Sequence, residues 1–284
     1  MTLFDHLSRK YPIAKRQTLR RMVQDGRVSI NGQPARSLKT PVTDTDKVHV
    51  DERPARPHYS LAPLYLIHED PDILVVSKPP GLLTSTVPRE RRPTALAIIR
   101  RYLAERDPRA HVGLIHRLDR DASGLLVFSK NNFAYESLKK QFFEHSVQRI
   151  YTAVVHGRLN PPAGRIESHL VELPDGSVHT TRIPKKGDLA ITEYKTLKSE
   201  AGLSLLRITL HTGRKHQIRT HLAYRNHPIV GDPVYGNKNQ PEKSPLLLAA
   251  TTLILLHPRT GNRLTFEIPP PPEIQSAIKE PTKP

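Results

Sequence analysis

The chain has 284 residues, enough for one large domain and a small one. It carries 44 Lys and Arg against 27 Asp and Glu, a formal net charge of +17 that points to a polyanionic partner, nucleic acid ahead of an acidic membrane. Cysteine is absent, which excludes disulfides, thiolate catalysis and cysteine-based zinc sites together.

The N-terminus holds Asp5 and His6 where a signal peptide needs an apolar core. The most apolar stretch, Leu246 to Leu256, is far short of the roughly 20 residues that span a bilayer. A soluble, cytoplasmic protein is expected.

Residues 1 to about 50 read as a compact unit. Leu3, Phe4 and Leu7 share one face of a short helix; Leu19, Met22 and Val23 do the same for a second, which Gly26 can end. Lys15, Arg16, Arg20, Arg21 and Arg27 stud the second helix and its exit, the electrostatic footprint of an RNA contact. Alternating residues from Arg27 run into Asn31-Gly32, a strong hairpin signal, and Lys47 to Val50 closes with another strand. A basic helix followed by Gly26-Arg27-Val28-Ser29-Ile30-Asn31-Gly32 resembles the αL RNA-binding module first recognised in a protein of the small ribosomal subunit. Residues 51–63, with Pro54, Pro57 and Pro63, then read as an extended, semi-rigid linker.

The second domain is expected over residues 64–272. Leu64 to Ile67 and Ile73 to Val76 form strands around the turn Asp70-Pro71-Asp72, and Lys78-Pro79-Pro80-Gly81-Leu82 follows. Leu96, Ile99 and Leu103 make one helical stripe, and Ala134, Leu138 and Phe142 another, both core-facing. Between them lies Ile115-His116-Arg117-Leu118-Asp119-Arg120-Asp121-Ala122-Ser123-Gly124, running into the buried strand from Leu125 to Lys130. A loop held against a rigid strand can present a reactive side chain. Asp119 is the better nucleophile of the two acids, since Arg117 and Arg120 flank it and cations keep a carboxylate ionised. From local composition alone the favoured reading is a solvated turn whose acids and arginines pair at the surface.

Arg149 to Gly157 alternates as a strand and carries Tyr151. Several short strands are expected between residues 158 and 210, and Leu210 to Leu222 then opens a helix with Ile218 and Leu222 buried. His211, His216 and His221 fall at intervals of five, which turns side chains about 140° round a helix, so no metal site is expected from them. His227 to Gly236 follows, and then the apolar block Leu246 to Ala250. Pro269 to Pro272 ends the folded part, with a loose tail over 273–284.

Taken together, His116-Arg117-Leu118-Asp119 with Ser123-Gly124-Leu125-Leu126, the strand ending in Lys78-Pro79, the Tyr151 strand, Thr212-Gly213-Arg214 through Arg219, and His227 to Gly236 resemble RluA-type RNA pseudouridine synthases. The resemblance implies an α+β fold, a mixed, mainly antiparallel sheet domain behind the small α/β RNA-binding module. It implies isomerisation of uridine in RNA, ribosomal or transfer, by a monomer without cofactor or metal. Asp119 is then the catalytic carboxylate, Arg219 its ion-pair partner, and Tyr151 the ring that stacks on the uracil and a candidate to help remove its proton. His116, Arg117, Leu118 and Lys78 are expected at the substrate. Leu246 and Leu248 are candidates for the pocket floor, though core packing accounts for them equally. Three departures stand out: Ala122 replaces the usual Thr, Thr84-Ser85-Thr86 replaces a His-Pro pair, and Ala249 replaces a His. Two other classes compete, a catalytically silent RNA-binding or ribosome-assembly factor and a glycosidase-like hydrolase. The hydrolase needs a second acid roughly 5–10 Å from Asp119, and none stands in a matching motif.

Overall fold

The computed structural model describes residues 1–12, 14–24, 27–51, 60–86, 92–181, 183–236 and 244–278. They divide into two compact units, Met1–Ser60 and Leu61–Pro284. Most of the expected linker, residues 52–59, lies outside the described residues, as do Gly26 and the side chain of Arg21.

In the first unit, α1 (Leu3–Lys10) starts from a capping box in which Thr2 and Asp5 each satisfy the other's backbone N–H. Helix α2 (Arg16–Gln24) brings Leu19, Met22 and Val23 against Leu3, Leu7, Val28 and Val50 in one buried cluster. Strands β1 (Val28–Ile30) and β2 (Gln33–Pro34) are joined by Asn31 and Gly32. Both turn residues have positive φ, 51° and 80°, as a two-residue hairpin matching the strand twist requires. Strand β3 (Val48–Val50) pairs antiparallel with β1 on its other side.

The second unit is built on a large mixed sheet. Its elements in chain order are β4 (Tyr65–Glu69), β5 (Ile73–Lys78), α3 (Ala95–Ala104), β6 (Gly113–Leu114), β7 (Ser123–Ser129), α4 (Asn132–Phe143) and β8 (Gln148–His156). Then come β9 (Ala163–Glu172), β10 (Val178–Thr181), β11 (Asp188–Glu200), β12 (Leu203–Leu210), α5 (Gln217–Tyr224), β13 (Leu248–Leu256), β14 (Arg263–Glu267) and α6 (Pro272–Ala277). The spatial order is β10-β9-β11-β12-β8-β13-β7-β5-β4, with β14 on β13 and β6 on β7. Every pairing is antiparallel except β13 with β7, which brings Ala249 and Ala250 beside Ser123 and Gly124. That contact is close: a Cβ on Gly124 would stand 2.2 Å from the Ala250 carbonyl oxygen, and its φ is +114°. Only glycine meets both demands.

Four expectations change. The stretch 158–210 holds long strands, β9 of 10 residues and β11 of 13, because hairpin turns such as Ala201-Gly202 at positive φ let antiparallel pairs extend. The helix expected from Leu210 starts only at Gln217, after the end of β12 and a turn. Gln217 organises that turn: its Oε1 accepts from the Thr212 hydroxyl (2.8 Å) and the Arg214 N–H (3.0 Å). The folded part also runs past residue 272, since α6 buries Ile274 and Ile278 against Val154, Leu247 and Ala249. In α3 the buried stripe is Ala95, Ile98, Ile99, Tyr102 and Leu103, with Leu96 only half-buried. Among the described residues no helix is long and apolar enough to cross a membrane.

Candidate active site

Sheet order sets the site. Strands β7, β13 and β8 are neighbours at the sheet's middle, so the loop entering β7, the start of β13 and the middle of β8 converge. Register places Tyr151 opposite Ala250 and Ala153 opposite Leu248. Side chains alternate across a strand, so Arg149, Tyr151, Leu248 and Ala250 share one face while Thr152 and Ala249 share the other. A cavity of about 450 Å³ opens on the first face, walled also by the end of α4 and the β12–α5 turn. A His at position 249 would therefore point away from the cavity, into the cluster of Val154 and Leu247 where Ala249 packs.

The loop carrying Asp119 is tied down by buried polar groups. Lys78 is fully buried, and its Nζ donates to the carbonyls of Pro79 (3.0 Å), Leu82 (2.8 Å) and Arg120 (3.0 Å). Burial pushes its pKa down to about 8 while Asp121 and Asp119 pull the other way. Lys78, expected at the substrate, instead staples the loop to the end of β5. Thr84 does the same from the departing Thr84-Ser85-Thr86 segment: its hydroxyl donates to the Leu118 carbonyl (2.8 Å) and accepts from the Leu118 N–H (3.1 Å). Thr84 is buried, so both bonds are shielded from water.

His116 lines the cavity, but its Nε2 accepts from the Val127 N–H at 3.1 Å and its ring stacks on Phe142 at 4.8 Å. Burial, helped by Arg149, pushes its pKa down to about 3, so the ring is neutral and serves as wall. Phe142, expected only as core, is a cavity residue. Arg117 stands exposed at the rim with Lys139 and Arg214, and Leu118 and Ala122 are buried walls. Leu248 lines the cavity; Leu246 is buried outside it, which decides for core packing there.

Arg219, on α5, is 3% exposed and joins two carboxylates. Its Nε and Nη2 donate to Asp232 at 2.8 Å each, and Nη1 donates to Asp119 Oδ2 at 3.2 Å. Burial opposes the guanidinium's charge, but Asp232 and Asp119 outweigh it and hold its pKa above the ordinary value. Burial likewise works against charge on Asp232, yet Arg219 and the N–H groups of Val234 and Tyr235 keep that acid below the usual carboxylate range. Asp232 is thus the anchor that leaves one arm of Arg219 for Asp119. Asp232 stands in the His227–Gly236 stretch without an assigned role, because nothing local in the sequence signals a guanidinium 13 positions away. Burial pushes the Tyr151 phenol up to about 12, so the ring that walls the cavity is a neutral phenol at neutral pH.

The three histidines sit on separate partners. His211 lies 3.0 Å from Glu193, His216 Nδ1 shares a hydrogen bond with the Tyr235 hydroxyl (2.9 Å), and His221 bridges Thr192 (2.9 Å) and Ser168 (3.0 Å). Only His221 is on the helix, so the helical-spacing argument does not apply to them. Among the described residues Asp70, Asp72 and His257 bring donor atoms within 4.8 Å of one another, but Arg259, Asn131 and His68 already engage these acids.

Of the cations expected to bind RNA, Lys15, Arg16 and Arg20 are exposed, and Arg16 lies over the Phe4 ring at 4.8 Å. Arg27 is half-buried and its Nε donates to the Asp51 carbonyl at 3.0 Å, closing the first unit's sheet.

Comparison with known proteins gives the family. Residues 72–224 match the RNA pseudouridylate synthase family and residues 1–48 match the S4 domain, which binds RNA. An RNA pseudouridine synthase of Aquifex aeolicus is 33% identical over 288 residues, 95% of this chain and 90% of that one. The ribosomal large subunit pseudouridine synthase D of Neisseria meningitidis serogroup A is 31% identical over 94% of this chain and 75% of its own length. In structure, human RNA pseudouridylate synthase domain containing 4 superposes with a TM-score of 0.62 at 23% identity, covering 74% of this chain and 90% of that one. The chain belongs to the RNA pseudouridine synthases, isomerases of uridine in RNA, and joins that domain to an N-terminal S4 domain.

Proposed function

We propose that this protein converts particular uridines of structured RNA to pseudouridine with Asp119 as the catalytic carboxylate, acting as a monomer without metal or nucleotide. The observation that carries the reading is the Asp232–Arg219–Asp119 array, which holds one carboxylate at a cavity walled by Tyr151 and Leu248. Such a group can add to the sugar carbon or stabilise positive charge developing there. The target base is out of reach inside a helix, so it leaves its stack and meets the Tyr151 ring. Exposed Arg117 at the rim, and Lys15, Arg16 and Arg20 on the S4 domain, take backbone phosphates. Arg21 and Arg27 belong to the same basic segment. Ribosomal RNA is the first substrate to test, ahead of transfer RNA, because relatives in Neisseria meningitidis and Escherichia coli carry ribosomal large-subunit names.

The test is incubation of the purified chain with ribosomal and transfer RNA lacking pseudouridine, read by carbodiimide labelling or tritium release from the fifth ring carbon. Turnover is expected without added metal. Asp119→Asn is expected to bind RNA normally and to turn over nothing. Activity retained in that variant would remove Asp119 from its role; an inactive wild type with intact RNA binding would favour the silent RNA-binding factor.

A further inference from the structure

We propose that Arg149 holds the carbonyl edge of the target uracil and stabilises the base as it leaves the sugar. The inference rests on the reading of the cavity as the uridine site. Arg149 stands two residues before Tyr151 on the same face of β8, and both line the cavity. A step of two along a strand is about 6.5 Å, so a base stacked on Tyr151 turns an edge toward the guanidinium.

The side chain is held as a fixed donor. It lies over the Phe142 ring at 5.5 Å, and Gly213 makes room for it: a Cβ there would stand 2.5 Å from Nη1. Its Nε is buried with no hydrogen-bond partner, and among the described residues no carboxylate pairs with it. Arg219, by contrast, sits between two carboxylates. The residue is half-buried; a guanidinium held in a cavity wall without a counter-charge is costly, and an unsatisfied donor there calls for a reason. A ligand that offers acceptors supplies one. Phosphates are an unsuitable match, since Arg117, Lys139 and Arg214 are exposed where a backbone passes, whereas Arg149 is half-buried against the Phe142 ring. The group that penetrates to that depth is the base, and its C2 and C4 carbonyls are pure acceptors.

The chemistry gives the contact its value. The C1′–N1 bond breaks with its electron pair staying on the base, spread over N1, O2 and O4. The base turns, C5 bonds to C1′, the C5 proton leaves and N1 takes one up, with no redox change. Arg149 donates hydrogen bonds throughout and transfers no proton. Negative charge on the carbonyl oxygens is largest in the departing base, so the interaction favours that state over bound uridine.

The test uses the full chain, the variants Arg149→Met and Arg149→Lys, and an RNA in which the wild type makes pseudouridine. The target position carries uridine, 2-thiouridine or 4-thiouridine, sulfur being a poor acceptor. Arg149→Met is expected to bind RNA within about twofold of wild type and to slow single-turnover conversion about 100-fold, the loss typical of one such donor, with Arg149→Lys recovering part. At one of the two thio positions the penalties of sulfur and of Arg149→Met should fail to add, because each removes the same hydrogen bond. Near-wild-type turnover by Arg149→Met overturns the proposal. So does a slow variant whose penalties add at both thio positions, which is the pattern of a merely structural side chain. If Arg149→Met does not fold, the same cycle with Arg149→Lys decides. A wild type silent on every RNA removes the uridine-site reading and this inference with it, an outcome distinct from an active wild type with an active Arg149→Met.

Discussion

The two units treat positive charge in opposite ways. On the S4 domain Lys15, Arg16 and Arg20 are exposed, where water screens them and each acts nearly alone. In the catalytic unit Arg219 is buried between Asp232 and Asp119, where its worth depends on both partners being present. Surface cations are a sum and buried ones are a circuit. Removing a part should therefore reduce the first gradually and break the second.

The sharpest way to break that comparison is Asp232→Asn. It leaves Arg219 buried with half its bidentate anchor gone, and about 3 kcal/mol or more of unfolding free energy is expected to be lost in urea titrations. A loss below about 1 kcal/mol would show that Arg219 is as tolerant as a surface arginine. Next in size is Thr84→Val, which keeps shape but removes both bonds to the Leu118 backbone. About 1–3 kcal/mol is expected, together with slower single turnover because Asp119 is the next residue. Stability and rate that both match wild type would mean the Lys78 bonds alone hold the loop.

One buried and one half-buried imidazole, His221 and His116, give a third measure. Burial pushes His221 down to about 4 and His116, with help from Arg149, down to about 3, so both are neutral when folded. Unfolded, each takes up a proton near pH 6.5. Their stabilising effect is thus complete above that pH and is lost as pH falls toward the folded values. Between pH 6.5 and 4.5 stability should drop by up to about 1.4 kcal/mol per pH unit for each ring, and His221→Gln should flatten the slope by one proton. An unchanged slope would place the titration elsewhere. The smallest effect on folding, and a test of the other half of the comparison, is Lys15→Gln, Arg16→Gln and Arg20→Gln combined. Stability is expected within about 0.5 kcal/mol of wild type, while RNA binding weakens and its logarithmic salt slope falls by roughly 0.7–0.9 per lost phosphate contact. A salt slope that does not move would remove these cations from the RNA contact.

What was readable from sequence follows the same division. The +17 charge, the Asn31-Gly32 hairpin and the apolar faces of α1 and α2 depend on composition or on neighbours within a few residues, and the S4 unit has the form they imply. In the catalytic unit the strand of Leu125 to Phe128 and the Arg219-to-Asp119 pairing were legible through motif order, and the structure brings that pair to 3.2 Å. Residue type misled where burial decides its use. Lys78, a polar residue expected at the substrate, is spent on the backbone of the loop, and His116, which does line the cavity, also holds the Val127 N–H of β7.

Sequence by itself determined the RNA-facing charge, the two-unit division and the family. The rest needed the fold. Parallel pairing of β13 with β7 across the gap left by Gly124, the turn of Ala249 away from the cavity, the anchoring of Arg219 by Asp232 and the unpaired donor of Arg149 all join residues distant along the chain. The physical reason is that local pattern specifies which face of an element is apolar, whereas the energy of a buried charge depends on which partners the sheet order brings within hydrogen-bond reach.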